Sequence, residues 1–183
     1  MQHVFSDKVK VVNGDVIEGE GLVAVAQIAA GEAIWEPDHD ARRRNTAEIA
    51  AVPPDNRHCQ MGADLFVECL EPGSWAWNHS CSPDTFLKGS RQVAVCDLSE
   101  GDEITYDYGL HEIRWPWVIR GCRCGSAECR RTICNFDYLN ARLLARWGEH
   151  VPDHVRRAAQ DASWLLRLAY RLGVPRYLLR VLR

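Results

Sequence analysis

The sequence lacks the features that mark a membrane protein, an exported protein or a dedicated nucleic-acid binder. No apolar run approaches the roughly 20 residues of a transmembrane helix. The first eight residues show no apolar stretch of the kind that opens a secretion signal. Lysine and arginine number 22 against 25 acidic residues, so the excess basicity of a DNA- or RNA-binding domain is missing. We therefore predict a soluble intracellular protein, cytoplasmic or, in a eukaryote, nuclear, without a membrane partner, and the charge disfavours direct nucleic-acid binding.

Internal repeats, low-complexity segments and long helices between strands are also missing. Short apolar runs bounded by turn residues are typical of strands, and they occur at residues 8–12, 22–26, 33–35, 65–69, 92–96 and 103–108. The pair Asn13-Gly14 is a strong turn signal after the first run. A polar insert spans about residues 38–60. Strands that follow one another without helices predict a mainly β domain.

The end of the chain has helical spacing instead. Leu139, Leu143 and Trp147 lie on one face of a first helix, and a second amphipathic stripe runs from Val155 to Leu172. Pro175 is placed to begin a last short helix. From residue 141 onward nine arginines face three acidic residues. We predict a helical extension whose arginines form either a solvated face or a docking surface for an anionic partner, and a charge run alone favours the solvated face.

Eight cysteines without export features argue against a disulfide framework and for metal binding or catalysis. Cys122, Cys124 and Cys129 form a Cys-x-Cys-x4-Cys pattern, which suits a soft tetrahedral ion such as Zn²⁺. A closed zinc site needs a fourth ligand from elsewhere in the chain. The scattered cysteines are expected to be small apolar residues in or near the core, and they are Cys59, Cys69, Cys96 and Cys134.

Three other stretches have the residue types of a binding or catalytic site, and each also has a plain structural interpretation. Gly-Glu-Gly at 19–21 is either a tight turn or a point where the backbone approaches a ligand closely. Asn-His at 78–79 is compatible with turn chemistry. Tyr106 and Tyr108 share one face of a strand, where such pairs usually serve packing.

Taken together and in this order, these four segments resemble the SET-domain protein lysine methyltransferases with a post-SET zinc motif, most of all their compact single-domain members. The matching stretches are Gly-Glu-Gly-Leu at 19–22, Asn-His-Ser-Cys-Ser-Pro at 78–83, Gly-Asp-Glu-Ile-Thr-Tyr-Asp-Tyr at 101–108 and the clustered cysteines. The resemblance covers about residues 9–134. It implies a mainly β SET fold of the β-clip type, in which small sheets surround a threaded-loop pseudoknot and the Asn-His and Tyr segments meet.

The resemblance also implies a role for each matching position. The residues that would bind S-adenosyl-L-methionine are Glu20, Gly21, Leu22, Asn78, His79 and Phe136. Phe136, or alternatively Tyr138, would close over the cofactor or the lysine. Tyr108 would face the transferred methyl group, and Tyr106 would tune how many methyl groups are added. The residues that would hold one structural Zn²⁺ are Cys81, Cys122, Cys124 and Cys129.

We thus expect a SET domain over residues 1–121 with its short insert, a post-SET zinc loop over 122–134 and the helical extension over 135–183. The expected reaction is methyl transfer to the side-chain amine of a protein lysine. Trp75-Ala-Trp77 stands where the family commonly has Arg-Phe-Ile, and the insert that helps choose the substrate is short. Two alternatives therefore stay open: the same cofactor with a small-molecule or other non-histone acceptor, and a SET-like binding module without turnover.

Overall fold

The computed structural model describes residues 5–14, 16–52, 57–174 and 179. The strands of this part are β1 (Val9–Asn13), β2 (Glu20–Ala24), β3 (Ala33–Trp35), β4 (Arg43–Arg44), β5 (His58–Gly62), β6 (Leu65–Glu68), β7 (Asn78–His79), β8 (Thr85–Lys88), β9 (Arg91–Ala94), β10 (Glu103–Tyr106), β11 (Val118–Arg120) and β12 (Thr132–Cys134). The helices are α1 (Thr46–Ala50), α2 (Ala141–Trp147), α3 (Asp153–Asp161) and α4 (Trp164–Arg171). Single 3-10 turns follow β10, β12 and α2. The predicted mainly β architecture is confirmed.

The largest sheet brings the Asn-His segment and the tyrosine segment together. Its strand order is β1-β2-β10-β8-β9-β3, and β7 pairs with β10 as well. β7 runs parallel to β10, with Asn78 opposite Thr105 and His79 opposite Tyr106. Side chains from this sheet and the loops beside it, including Leu22, Ile34 and Ile104, form one apolar core. The expected meeting of the two segments is therefore confirmed.

The polar insert expected over about residues 38–60 is folded into short strands and a helix. β4, β6 and β5 form a three-stranded antiparallel sheet in that order. Asn45 caps the N-terminus of α1, its side chain accepting from the N–H of Glu48 in a capping box. Gln60 connects this sheet to the segment before β11, because its Oε1 accepts from the N–H groups of Ile113 and Arg114. These short strands were not predicted because their sequence is polar. Both β4 and β5 form by pairing with β6.

The helical extension packs on the β domain through a second apolar core that includes Phe86, Leu110, Phe136, Leu143 and Val155. The second stripe was predicted as one helix, and that prediction is wrong: the chain turns at residues 162–163, so that α3 and α4 are separate. Ser163 begins α4, its Oγ accepting from the N–H of Leu166 at 3.2 Å. The predicted helix at Pro175 lies outside the described residues.

Across the described ranges, no helix has both the length and the apolar character that crossing a bilayer requires. The helices of the extension are short and amphipathic, and their buried positions face the second apolar core. β11 and β12 form a two-stranded hairpin beside the clustered cysteines. The hairpin thus carries the chain from the β domain through the cysteine loop and into the extension.

Candidate functional site

Asn78 fixes the glycine-containing loop at the start of β2. Its Nδ2 lies 3.1 Å from the carbonyl oxygen of Glu18, 3.0 Å from that of Glu20 and 2.7 Å from Oε1 of Glu103. An amide nitrogen has only two hydrogens to donate, so these acceptors share them. The parallel register of β7 and β10 puts Asn78 where it can reach all three. The loop at residues 18–21 is therefore held against the center of the sheet.

Gly21 is the residue at which the backbone of this loop packs closely against the side chains of Val16 and Glu103. A Cβ atom at this position would lie 2.8 Å from Cγ1 of Val16 and 2.9 Å from Oε1 of Glu103. Real Cβ atoms do not come this close to their neighbours, so a larger residue would push the loop away from β10. Glu20 beside it is exposed, and its Oε2 accepts from Nε1 of Trp75 at 2.8 Å. Leu22 lies in the core of the sheet.

Tyr106 and Tyr108 lie against one another at the end of β10. Their ring centroids are 4.8 Å apart, and the hydroxyl of Tyr108 donates to the carbonyl oxygen of Trp77 at 2.6 Å. Burial raises the pKa of Tyr108 to about 12. Burial, followed by the neighbouring Tyr108, raises the pKa of Tyr106 well above its usual value. Both rings are therefore neutral phenols that can donate or accept hydrogen bonds.

His79 connects the tyrosine segment to the cysteines. Its Nδ1 accepts from the backbone N–H of Tyr108 at 3.3 Å, and its Nε2 lies 3.2 Å from Sγ of Cys81. Burial lowers the pKa of His79 to about 4, so the ring is neutral near pH 7. A neutral imidazole that accepts at Nδ1 carries its proton on Nε2. His79 is thus placed to donate a hydrogen bond to the sulfur of Cys81.

Sulfur atoms from distant parts of the chain converge beside His79. The ligand atoms of His79, Cys81, Cys122 and Cys124 all lie within 4.8 Å of one another. Cys129, the fourth cysteine of the predicted set, is outside this tight group. It packs against the same cluster, with its Sγ 3.5 Å from the carbonyl oxygen of Cys122. The structure therefore brings together three of the four predicted ligands, with the fourth adjoining them.

The environment favours the thiolate at Cys124, whereas burial raises the pKa of Cys81 and raises that of Cys122 to about 11. The backbone N–H of Cys81 points at Sγ of Cys124 at 3.5 Å, and that of Arg130 at Sγ of Cys81 at 3.4 Å. Burial opposes ionisation of Cys124, but hydrogen bonds from backbone N–H groups and from neighbouring thiols lower its pKa to about 7. Thiolate is the form of cysteine that binds metal. The donor set and its hydrogen bonds fit a structural Zn²⁺.

A buried ion pair that was not predicted from the sequence holds the cysteine loop against the tyrosine segment. The guanidinium of Arg130 makes two 2.7 Å hydrogen bonds to the carboxylate of Asp107, which lies between the two tyrosines. Asp137 adds a second carboxylate 3.5 Å from the same guanidinium. In the sequence, Arg130 is visible as an arginine directly after Cys129, but no spacing pattern identifies Asp107 as its partner.

A cleft with aromatic walls opens next to Tyr106 and Tyr108. This aromatic pocket has a volume of about 590 Å³. Its aromatic walls are Trp35, Trp75, Trp77, Tyr106, Tyr108, Trp115 and Trp117, and its other lining residues include His58, Cys59, His111 and Glu112. β5 of the insert supplies part of the lining. Trp75 and Trp77 were singled out in the sequence because they depart from the family pattern, whereas Trp35, Trp115 and Trp117 join them only through the fold.

Phe136 belongs to a different apolar core from Leu22, the predicted cofactor-binding residue of β2. It is buried in the second apolar core, packed with Leu110 and near the ring of Tyr138 at 6.3 Å. The backbone N–H of Phe136 points at Sγ of Cys134, which lies in the same apolar core. A contact between Phe136 and a cofactor stays a prediction.

Comparison with known proteins agrees with this geometry. A family model described as "SET domain" matches residues 19–109. The chain is similar to the histone-lysine N-methyltransferase, H3 lysine-4 specific, of Cryptococcus neoformans var. neoformans serotype D, with 30% identity over 62% of this chain and 9% of that protein. It is also similar to the protein of the same name from Emericella nidulans, with 29% identity over 62% of this chain and 11% of that protein. The chain spans about a tenth of the length of these relatives.

Among solved structures, the fold is similar to that of KRYPTONITE, crystallised in complex with mCHG DNA and SAH. The TM-score is 0.51 and the sequence identity 20%, over 72% of this chain and 29% of that one. At this identity the likeness supports the fold alone. The pairing of β7 with β10, the loop held by Asn78 and the match over residues 19–109 agree with one another. The chain belongs to the SET-domain family.

Proposed function

We propose that this protein is an S-adenosyl-L-methionine-dependent protein-lysine N-methyltransferase. The observation that carries the proposal is the hydroxyl of Tyr108, held 2.6 Å from the carbonyl oxygen of Trp77 between the Asn-His strand and the aromatic pocket. A polar loop thus lies on one side of Tyr108 and an apolar cleft on the other. The relatives are named for methylation of a histone lysine, which supports a lysine side chain as the acceptor.

The cofactor would bind on the polar side of Tyr108. We assign its contacts to Glu20, Gly21, Leu22, Asn78, His79 and Phe136. When bound, S-adenosyl-L-methionine supplies a methyl group on a positively charged sulfur. Carboxylates of Glu18, Glu20 and Glu103 lie on or beside the loop that Asn78 holds. Their negative charge suits a ligand that carries a sulfonium and an ammonium group.

The aromatic pocket would bind the lysine side chain in its uncharged form. A free lysine amine has a pKa of about 10.4, so deprotonating it near pH 7.5 costs on the order of 4 kcal/mol. Removing the amine from water among tryptophan and tyrosine rings disfavours the ammonium and lowers this cost. The hydroxyl of Tyr108 and the carbonyl oxygen of Trp77 are fixed dipoles near the proposed transfer point, and they would stabilise developing positive charge there.

We also propose that one structural Zn²⁺ is held by Cys81, Cys122, Cys124 and Cys129. His79 would not be a ligand, because the proton on its Nε2 is directed at the sulfur of Cys81. The ion would tie the post-SET loop at residues 122–134 to the SET domain at 1–121. The extension at residues 135–183 packs on both, as far as it is described.

The activity is tested by incubating purified protein with radiolabelled S-adenosyl-L-methionine and whole-cell lysate, then separating macromolecules from small molecules. We expect label in protein, and a loss of at least about a hundredfold in Tyr108→Phe, comparable to removal of one preorganised dipole at the reacting centre. Tyr170→Phe, in the extension, is the matched control and should keep the label. Absence of label in every fraction would leave only a binding module.

Cofactor binding is tested separately by thermal melting. A ligand at 100 times its dissociation constant adds about 2.7 kcal/mol of stability, which is several degrees for a chain of this size. Asn78→Ala should lose most of this shift, because the loop at residues 18–21 loses its anchor. Asn140→Ala removes the cap of α2 and should lower the melting temperature while keeping the shift. An equal shift in Asn78→Ala would remove the assignment.

A small-molecule amine is the second candidate acceptor, and the size of the aromatic pocket supports it. A cleft of about 590 Å³ falls within the range of sites that bind whole small ligands. Its tryptophan walls would suit an aromatic or alkyl amine as well as a lysine chain. Label recovered in the small-molecule fraction of the same experiment would identify this function.

A further inference from the structure

The aromatic pocket has one acidic side chain in its wall. Glu112 is the only carboxylate among the described residues that line it, and neither lysine nor arginine lines it. The side chain of Glu112 is 20% exposed, so it is partly shielded from water while its surface faces the cleft. A single negative charge among apolar rings acts more strongly on a bound cation than it would on an open surface.

The carboxylate of Glu112 is fixed in place. Its Oε1 accepts from the N–H of Gln60 at 2.9 Å and lies 3.1 Å from Nδ1 of His111. The backbone carbonyl of Glu112 also accepts from Nε1 of Trp117 at 2.7 Å. Among the described residues, the hydrogen bonds of this side chain involve Oε1 and none involves Oε2. Oε1 thus holds the carboxylate in the wall of the pocket, and within the described ranges Oε2 has no hydrogen-bond partner that a ligand would have to displace.

Glu112 lies on the Tyr106 side of the pocket. Its charge contributes to the raised pKa of Tyr106, after burial and Tyr108. For Tyr108 the acidic side chains that raise the pKa, after burial, are Glu18 and Glu103. A carboxylate in direct contact with the acceptor amine would stabilise the ammonium and oppose methyl transfer. Glu112 adjoins Tyr106 through the ring of His111, which lies 3.1 Å from its Oε1 and packs edge-on against the Tyr106 ring at 5.0 Å. A second cation bound at this carboxylate would lie next to the acceptor amine and would not take its place.

From this placement we propose that Glu112 is a specificity-determining residue, which binds a second basic side chain of a protein substrate next to the acceptor lysine. This inference rests on the proposed function. The cleft has the volume of a whole small-ligand site, so it has room for a neighbouring arginine or lysine in addition to the acceptor. The rings of Trp115 and Trp117 in the same wall are suited to stacking with a guanidinium.

The test uses a library of peptides with one central lysine and, at each flanking position in turn, arginine or its neutral isostere citrulline. Wild-type protein should favour arginine at one position by roughly ten- to hundredfold in kcat/KM, the worth of one charge-assisted hydrogen bond. In Glu112→Gln the ratio between the two peptides should fall close to one. Gln keeps an acceptor for the N–H of Gln60, and thermal melting checks that the variant is folded.

Glu36→Gln is the matched control, because Glu36 is an exposed carboxylate paired with Arg91, and it should keep the preference. Methylation without an arginine preference, or a preference that survives in Glu112→Gln, would overturn the inference and leave the proposed function standing. Equal slowing on both peptides would also overturn it, since Glu112 would then act on the acceptor amine or on the fold. If no peptide is labelled and the cofactor gives no melting shift, the proposed function itself fails.

Discussion

The two sides of Tyr108 are built in opposite ways. On the motif side, buried polar groups hold one another through directed bonds: Asn78 to the loop at 18–21, His79 to Cys81 and Arg130 to Asp107. On the pocket side, aromatic rings from distant parts of the chain enclose a cleft with few polar atoms. The motif side therefore tolerates few residue types at each position, whereas the pocket side can change its walls and keep the fold.

This difference predicts where substitutions act. A lost partner on the motif side leaves a buried polar group or charge unsatisfied, which destabilises the whole domain. A changed wall on the pocket side alters how the acceptor fits and leaves the motif side intact. The largest expected effects are therefore on stability and metal content, and the smallest are on which products form.

Replacing a zinc ligand should have the largest effect. Cys124→Ser is expected to lose the single zinc ion and to lower the melting temperature by about 10 °C or more, because the binding energy of a structural metal contributes directly to folding. Elemental analysis and thermal melting measure the two quantities. Cys59→Ser, Cys134→Ser and the exposed Cys96→Ser should keep near-unit zinc. Zinc that survives Cys129→Ser but is lost in His79→Gln would make His79 the fourth ligand.

Breaking the buried ion pair should come next. Asp107→Asn leaves the guanidinium of Arg130 without its main partner, and the expected cost is about 3–5 kcal/mol. Arg123→Gln is the comparison, because Arg123 and Glu18 form an ion pair whose side chains are 72% and 70% exposed. Pairs of that kind contribute about 0–1 kcal/mol. Urea unfolding of both variants measures the difference, and equal costs would contradict a structural role for the buried pair.

The motif side was largely predictable from the sequence, and the pocket side largely was not. The spacing of the clustered cysteines alone predicted a metal site, and the resemblance to the SET-domain family implied the roles of Asn78 and His79. The parallel pairing of β7 and β10 brings the Asn-His and tyrosine segments together as expected. Trp35, Trp115 and Glu112 carry no such pattern, because any apolar or acidic residue fits the local chain. The insert over about residues 38–60, for which the sequence predicted no strands or helices, contains β4 and α1 and the start of β5, and β5 contributes to the pocket lining.

His154 links the extension to the pocket and should make stability depend on pH. Its Nε2 lies 2.9 Å from the carbonyl oxygen of His111, and burial lowers its pKa to about 4. As the pH falls, His154 takes up a proton near pH 6.5 in the unfolded chain, but it does so only near pH 4 in the folded chain. Its stability contribution is therefore complete above pH 6.5 and is lost as the pH falls toward 4, by at most about 3 kcal/mol.

In His154→Gln, the free energy of unfolding should depend less steeply on pH between 4 and 6.5, and the slope should fall by the equivalent of one bound proton. Glutamine does not titrate, and it can still donate to the carbonyl oxygen of His111. Urea midpoints between pH 4 and 7 measure the slope. His39→Gln is the control, since His39 is 83% exposed and should leave the slope as it is. Acid-induced loss of metal affects all three proteins alike, so only the difference between them counts. A wild-type slope in His154→Gln would show that the burial of His154 has no influence on stability.

Tyr106→Phe should have the smallest effect on rate and a clear one on product. The Tyr106 ring packs edge-on against Trp77 at 5.8 Å and against His111 at 5.0 Å, so phenylalanine can take its place in the wall. The lost hydroxyl leaves space for another methyl group and removes a hydrogen-bond partner that orients the amine. We expect wild type to stop at one or two methyl groups, and Tyr106→Phe to shift products toward higher methylation at a similar overall rate. Mass spectrometry of a methylated substrate, or of automethylated protein, measures the distribution. If Tyr106→Phe abolished activity while Tyr108→Phe kept it, the two tyrosines would exchange roles and the transfer point would lie inside the aromatic pocket.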